Sequence, residues 1–352
     1  MKRRHLVPLT SAALALALGV SACSSGSTPG MSSAAGGTTI TNCGQPAQFP
    51  ASAKRFFVND SGMIAMMLAI GAGEKISGFS SLEKNAETLA RHYGKDALGG
   101  KQEVSNNMPA LETLIAQRPD VVVAGWNYGY KENQVTPKVL QGKNIAPYIL
   151  TESCRQKDGQ KARGVTDPWT ALDTDLKNLG TLTGKSDQAA KVIEDISQRR
   201  KALENAPQAE KKPNVLVFDS GTETVFTSGK FGGPQAVIDT AGGRNVMEDV
   251  NDTWTTVSWE RVAASKPDAI VFVSYGEQSM AQKIALLEAN PSTKDLPAVK
   301  EKRYVNLPYA MWVSSPLNID ASEQLRSHLE EWELVPESKL PKPKFDDTKD
   351  AF

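Results

Sequence analysis

Residues 259–273 read WERVAASKPDAIVFV, and an earlier stretch, 111–124, reads LETLIAQRPDVVVA. The two copies share their parts in the same order. A short amphipathic helix comes first, then a Pro-Asp turn (Pro119-Asp120 and Pro267-Asp268), then an apolar, β-branched run. Such a run fits a strand buried on both faces, as in a parallel sheet. In each copy a Glu stands near the helix start, seven residues before the Pro: Glu112 and Glu260. A unit that recurs once, about 150 residues apart, predicts two similar lobes.

Outward from these copies, strands alternate with helices. In the first lobe 55–59, 75–79, 121–124 and 147–150 read as strands, with helices at 63–70, 83–93, from 109 and at 136–141. In the second, strands fall at 214–219, 225–227, Ala269–Ser274 and 303–307, with helices at 234–241, 283–288 and 322–332. Alternation of this kind predicts an α/β fold: two Rossmann-like lobes with mostly parallel sheets. Between them, 167–204 is helical with a break at Gly184-Lys185-Ser186. The second part, 187–205, carries an apolar stripe of Ala189, Val192, Ile193, Ile196 and Leu203. Ser186 or Asp187 is its expected N-cap, and the whole is a single connector.

The N-terminus belongs to export rather than to the fold. Lys2, Arg3 and Arg4 precede an apolar run, 6–20, too short to span a membrane. Val20-Ser21-Ala22-Cys23 follows it at once. Residues 1–22 are therefore expected as a lipoprotein signal, with Cys23 lipidated; an ordinary secretory signal is the alternative. Residues 23–42, rich in Ser, Gly and Thr, read as a flexible tether reaching at most about 60 Å. The expected boundaries are then 43–166 for the N-terminal lobe, 167–206 for the helical connector, 207–335 for the C-terminal lobe and 336–352 for a flexible tail. In an exported chain Cys43 and Cys154 are expected to be oxidised. A bond between them would add about 4–5 kcal/mol in the chain-entropy view. Two buried thiols are the alternative.

Composition removes several classes of function. Formal charge is zero, with no basic cluster beyond the signal, so a nucleic-acid partner is not expected. Only His5, His92 and His328 are present, too few for a His-based triad or a multi-His zinc site. Ser228-Gly229-Lys230 looks like the end of a phosphate-binding loop, but Thr224 stands where a Gly is required and Phe231 follows Lys230. No enzyme and no resident metal or cofactor are expected, and an exported enzyme or adhesion module on the same two-lobed fold is the alternative of another class.

In open α/β sheets ligands bind beyond the carboxyl ends of the strands. That rule selects Ser61, Trp126, Tyr128, Tyr130, Lys230, Trp254, Tyr275, Tyr309 and Trp312, with Asp60 and Ser80 beside them. Arg155 and Arg163, in the loop after the first lobe's last strand, are candidates for an anionic group. Core packing and solvation are the ordinary alternatives for each. For Glu112 and Glu260, a solvated acid in a first helical turn accounts for either alone. The same acid at the same offset in both lobes suits docking onto a two-fold symmetric partner.

The signal-and-Cys motif, the tether, the paired units and the connecting helix resemble the class III substrate-binding proteins of ABC importers, over about residues 43–335. The segment GGPQAVIDTAGGRNVMEDVNDTW, running into VSWERVAASKPDAIVF, carries the resemblance most specifically. The resemblance implies a cleft between the lobes that takes a ferric siderophore, haem or vitamin B12. It also implies docking through Glu112 and Glu260 onto arginines of a dimeric permease driven by a cytoplasmic ATPase. The protein would act as a monomer, lipid-anchored at the outer face of the cell membrane. A small-molecule metal chelate is the expected cargo, a ferric siderophore first and a corrinoid or other large cofactor second. DTWTTVSWE and KIALLEANPSTKDLPAVKEKRY are also similar to importers of the deazaflavin precursor F420-0, a pattern not continued at residues 309–317. Cys23→Ser is expected to move the protein from the membrane fraction to the soluble one on fractionation. Retention in the membrane would remove the anchor assignment.

Overall fold

A computed structural model of the chain describes residues 37–349, apart from 83 and 158. The expected signal, Cys23 and most of the tether lie outside the described residues. The end of that tether does not: Thr38–Asn42 (β1) and Gln45–Phe49 (β2) form an antiparallel hairpin. Thr-rich β1 alternates sides, burying Ile40 and Asn42. The Asn42 side chain donates to the Ile149 carbonyl (2.7 Å) and accepts from its N–H (2.8 Å), so it acts as one rung of a ladder. Cys43 and Cys154 are joined in a disulfide, Cα–Cα 5.4 Å, across 111 residues of chain.

The first lobe contributes Phe56–Asn59 (β3), Ile76–Ser80 (β4), Val121–Trp126 (β5), the short Gly129–Tyr130 (β6) and Ala146–Ile149 (β7). They pair in parallel in the order β4-β3-β5-β7, with β6 beside the end of β5. The second contributes Asn214–Phe218 (β8), Val225–Ser228 (β9), Arg244–Asn245 (β10), Trp254–Val257 (β11), Ala269–Ser274 (β12) and Tyr304–Pro308 (β13). There β10-β8-β12-β13 is all parallel, and β9 pairs β11 as a separate antiparallel ribbon. The two parallel sheets thus repeat one plan. Ser61–Ala69 and Gly233–Thr240 are the helices that precede β4 and β10. Leu111–Ala116 and Trp259–Ser265 precede the central strands β5 and β12.

The repeated Pro-Asp turn explains how each central strand finds its neighbour. Asp120 donates its N–H to the Arg55 carbonyl (2.8 Å), and its Oδ2 accepts from the N–H groups of Lys54 (2.8 Å) and Arg55 (3.0 Å). Asp268 does the same at β8: its N–H meets the Asn214 carbonyl (2.8 Å) and its Oδ2 the Asn214 N–H (2.8 Å). Before each Pro the chain turns through positive φ, 50° at Arg118 and 46° at Lys266. Both β5 and β12 are then buried along nearly their whole length, as their unbroken apolar runs require.

The connector is two helices, Pro168–Thr183 and Ser186–Glu204. Gly184 caps the first in the left-handed conformation (φ 70°). Lys185, rather than Ser186 or Asp187, takes the cap position of the second, without a side-chain bond. Ala189, Ile196 and Leu203 are its buried stripe, while Val192 and Ile193 are half-buried. Arg199 ties it to the C-terminal helix Asn318–Glu331 through Asp320 (2.8 Å) and Glu323 (2.7 Å).

The expected flexible tail packs onto the body at Phe345 and Asp347. Asp347 is fully buried. Its carboxylate accepts from Gln324 Nε2 (2.7 Å) and lies 3.1 Å from His92 Nε2, while its N–H donates to Gln324 Oε1 (3.0 Å). His92 also packs edge-on against Phe345, 4.5 Å between ring centres. Thus the tail closes onto helix Ala86–Tyr93 of the first lobe. Charge and proline content suggested a solvated end, but one buried carboxylate with Gln324, His92 and Arg91 as partners outweighs them. Asp347→Ala leaves buried donors unpaired, so a loss of about 2–4 kcal/mol in urea unfolding is expected. A loss below about 0.5 kcal/mol would show the contact to be superficial.

Candidate functional site

The carboxyl ends of the two sheets meet along a seam. Each sheet's last strand runs into a one-turn 3-10 helix, Thr151–Ser153 after β7 and Tyr309–Met311 after β13. These two turns face the helix start at Ser61. Tyr309 Oη donates to Asp60 Oδ2 (2.6 Å), Ala310 N–H to Asn85 Oδ1 (3.0 Å) and Ser314 N–H to Glu152 Oε2 (2.9 Å). Every one of these bonds joins the lobes. Gly62 shows how close they come: a Cβ there would lie 2.6 Å from Val313 Cγ2 and 2.8 Å from the Ser314 carbonyl.

Asp60 is held in an unusual backbone conformation, φ 83° and ψ 136°, as N-cap of Ser61–Ala69. Its N–H donates to the Ser80 carbonyl (2.9 Å) and its Oδ1 accepts from Gly62 N–H (2.8 Å). A non-glycine residue at positive φ costs about 1–3 kcal/mol. Here the strain aims the second carboxylate oxygen across the seam at Tyr309.

Glu152 is a second buried acid on the seam, 2% exposed. It accepts from Tyr128 Oη (2.7 Å) as well as from Ser314. Burial is the largest influence on its carboxyl and pushes it up to about 7, against the opposite pull of Tyr128, Arg163 and the Ser314 N–H. Asp175 lies beneath the same turn and accepts from Tyr148 Oη (2.6 Å) and Thr151 Oγ1 (2.6 Å). Burial raises it to about 7 too. Tyr128 and Tyr309 are pushed well above the ordinary phenol range, chiefly by burial and then by Glu152 and Asp60 respectively. They stay protonated and act as donors.

Arg163, 6% exposed, joins the lobes further along. Its Nη1 donates to the Trp126 carbonyl and its Nη2 to the Trp254 carbonyl, both 3.4 Å. Its backbone N–H donates to Asp252 Oδ1 (3.1 Å). The guanidinium carbon is 6.0 Å from the Tyr128 ring centre. Tyr275 stacks on Tyr309 with centres 4.6 Å apart. Trp254 stacks on Phe226, 5.7 Å apart.

Of the residues selected from sequence, the seam gathers Ser61, Tyr128, Arg163, Trp254, Tyr275, Tyr309 and Trp312. Trp126 is half-buried under the Arg155 guanidinium, 3.5 Å from its ring. Three do not belong to it. Tyr130 is fully buried, donating to the Val122 (3.0 Å) and Tyr148 (3.2 Å) carbonyls. Its place at the end of β6 turns the ring into the core. Lys230 is exposed, with Nζ 4.8 Å from the Phe231 ring centre. Ser80 donates to Asn59 Oδ1 (2.8 Å). Sequence reasoning missed Glu152, Asn85 and Ser314. The acid beside Cys154 was the one visible signal for Glu152.

Glu112 and Glu260 are both exposed, in the first turns of the matching helices Leu111–Ala116 and Trp259–Ser265. Each helix runs back toward the start of its strand, so its own start stands at the strand's carboxyl end. Trp259 Nε1 confirms this by donating to the Thr222 carbonyl, just past β8 (2.8 Å). Glu260 and Tyr275 are therefore at one end of the sheet. A backbone N–H and, after it, the Ser258 hydroxyl hold Glu260 below the usual carboxylate range. A cavity of about 980 Å³ lies elsewhere, between the connecting helix, the C-terminal helix and the tail. No group of three or more His, Cys, Asp or Glu among the described residues is arranged to hold a metal.

Duplicated parallel sheets that meet at their carboxyl ends across a seam of aromatic and polar groups define a two-lobed α/β binding protein. The chain belongs to the periplasmic binding protein family, whose model matches residues 59–310. Among relatives, a vitamin B12-binding protein of Salmonella typhimurium is 30% identical over 46% of this chain and 54% of its own length. The chain thus spans about half the length of that relative. A vitamin B12-binding protein of Pectobacterium atrosepticum is 24% identical over 78% of this chain and 87% of its own length. Among solved structures, an ABC-type Fe3+-hydroxamate transport system protein of Saccharomonospora viridis superposes with TM-score 0.67. It is 23% identical and covers 83% of this chain and 98% of its own.

The raised carboxyls set the pH dependence of stability. Below about pH 4.5 Glu152 is protonated folded or unfolded. Between there and about 7 the unfolded chain ionises first, so folding stability falls as pH rises. Asp175 acts in the same direction. The melting temperature is expected to drop from pH 5 to pH 8, and Glu152→Gln to flatten part of that slope. An unchanged slope in the variant would show that Glu152 is not held protonated.

Proposed function

We propose that this protein is the extracytoplasmic binding component of an ABC importer, taking a metal chelate at the seam and handing it to a permease dimer coupled to an ATPase. The observation that carries the reading is the pair of exposed acids, Glu112 and Glu260, on matching helix starts of the two lobes. Both stand at the carboxyl ends of the sheets, where the seam lies. A two-fold partner with one basic site per subunit would engage both at once. Rigid placement on helices suits docking, and the lowered Glu260 carboxyl keeps its charge at neutral pH.

For cargo we propose a ferric siderophore first and a corrinoid second. The similarity to a Fe3+-hydroxamate transport protein supports the former and the similarity to vitamin B12-binding proteins the latter. Buried aromatics at the seam suit either, since both present broad apolar faces around a metal already coordinated. We further propose that Cys23 carries a lipid anchor and that the protein works as a monomer. We also propose that the two lobes divide near 167 and 207, at the ends of the helical connector.

Glu112→Ala combined with Glu260→Ala is expected to leave cargo affinity within about twofold in solution while abolishing uptake into cells. Lost affinity in that double variant would place the acids in the cargo site instead, and undiminished uptake would remove the docking role.

A further inference from the structure

Helix Ala86–Tyr93 belongs to the first lobe by sequence, yet bonds to the second lobe hold it at both ends. At its start, Asn85 Oδ1 accepts the Ala310 N–H (3.0 Å), and Lys84 Nζ donates to the Gly276 carbonyl (3.2 Å). At its end, Arg91 Nη1 donates to the Asp346 carbonyl (3.1 Å), and His92 Nε2 lies 3.1 Å from Asp347 Oδ2. The tail that supplies those last partners is fixed in turn to the C-terminal helix. Gln324 Nε2 donates to Asp347 Oδ2 (2.7 Å), and Gln324 Oε1 accepts the Asp347 N–H (3.0 Å).

The first lobe holds this helix more lightly. It has eight residues and buries two of them, Thr88 and Leu89. Beyond Tyr93 the chain forms neither helix nor strand over residues 94–103. Asn85 stands at the N-cap, where a side-chain oxygen ordinarily serves the helix's own first N–H groups. It makes no such capping bond. Its oxygen goes across the seam to Ala310 instead, while its Nδ2 donates to the Leu82 carbonyl (2.9 Å).

The two ends are joined by a rod. Eight helical residues span about 12 Å, and their internal hydrogen bonds make them move together. At the seam end the rod meets the turn Tyr309–Met311. That stretch of chain also carries the bonds of Tyr309 to Asp60 (2.6 Å) and Ser314 to Glu152 (2.9 Å). At the other end His92 and Tyr93 line the cavity of about 980 Å³ beside the connecting helix, so that end has space to move into. Asp347 and the edge-on ring of Phe345 keep it in place.

We propose that the C-terminal tail is a latch on the seam: Asp347 pins the far end of helix Ala86–Tyr93, and its release lets the helix shift and loosens the lobe-to-lobe bonds of Ala310 and Ser314. A merely local clip would loosen only the tail and the helix it touches.

Amide hydrogen exchange on the full chain without cargo tests this. Leu287→Ala, in a core cluster apart from the seam, is the control for general loss of stability. Exchange at Ala310 and Ser314 is expected to be about fivefold or more faster in Asp347→Ala than in that control. Coupling is reciprocal, so Asn85→Ala, at the seam end, is expected to speed exchange at the Asp347 N–H. Where Asp347→Ala gives no folded chain, Asp347→Asn keeps the shape and is read in the same way. Seam amides no faster than in Leu287→Ala overturn the latch, as does an Asp347 N–H indifferent to Asn85→Ala. No cargo enters the experiment, so either result leaves the importer reading standing.

Discussion

One interaction made twice organises the molecule: an aspartate after a proline gripping the entry of the neighbouring strand. Asp120 and Asp268 use both backbone N–H and carboxylate on the entry to β3 and β8. A strand slipped by one residue would turn its whole buried face outward, so this grip fixes the register of the two central pairs. With their starts aligned, the strands end at one level. Those ends carry Asp60 and Ser61, Trp126 and Tyr128, and Tyr275. The helices that begin beside them carry Glu112 and Glu260. Both surfaces used by the proposed function descend from that alignment.

The seam combines buried polar groups with an apolar core that runs across it, from Met63 and Ile64 to Trp312 and Val313. Tyr309 with Asp60 and Ser314 with Glu152 satisfy the carboxyls that burial penalises. The single helical connector, braced by Arg199, and the tail clipped at Asp347 lie away from the seam and hold the lobes together. The disulfide from Cys43 to Cys154 secures the turn that carries Glu152.

Most elements were legible because their signals are local. β12 coincides with its predicted span, since an apolar run between Pro-Asp and Tyr-Gly admits little else. Ser258 caps its helix through Arg261 N–H, and Gly184 ends another in the left-handed conformation that only Gly adopts freely. The misreadings fall where distant partners decide. Residues 38–42 look like more tether, because Thr and Asn carry little apolar weight; the edge of β7 and the disulfide make them a strand. Residues 336–349 look solvated until His92 and Gln324 are placed beside Asp347. Tyr130 and Tyr128 are two residues apart in the same glycine-flanked loop, yet one is core and the other bonds Glu152.

By itself, the sequence determined the α/β class, the duplication, the connector and the acids at matching positions. These follow from short-range rules: periodicity, capping, turn chemistry and the spacing of one motif from its copy. Only the tertiary structure decided that burial raises the Glu152 carboxyl to about 7, that Asp60 crosses to Tyr309, and that the indole N–H groups of Trp254 and Trp312 are buried without a hydrogen-bond partner among the described residues. Burial, and the hydrogen-bond partner that must come with it, are set by residues as far as 249 positions away for Tyr309 and Asp60 and 255 for Asp347 and His92. No local pattern encodes which of many similar Tyr, Trp and Glu side chains will meet at that distance.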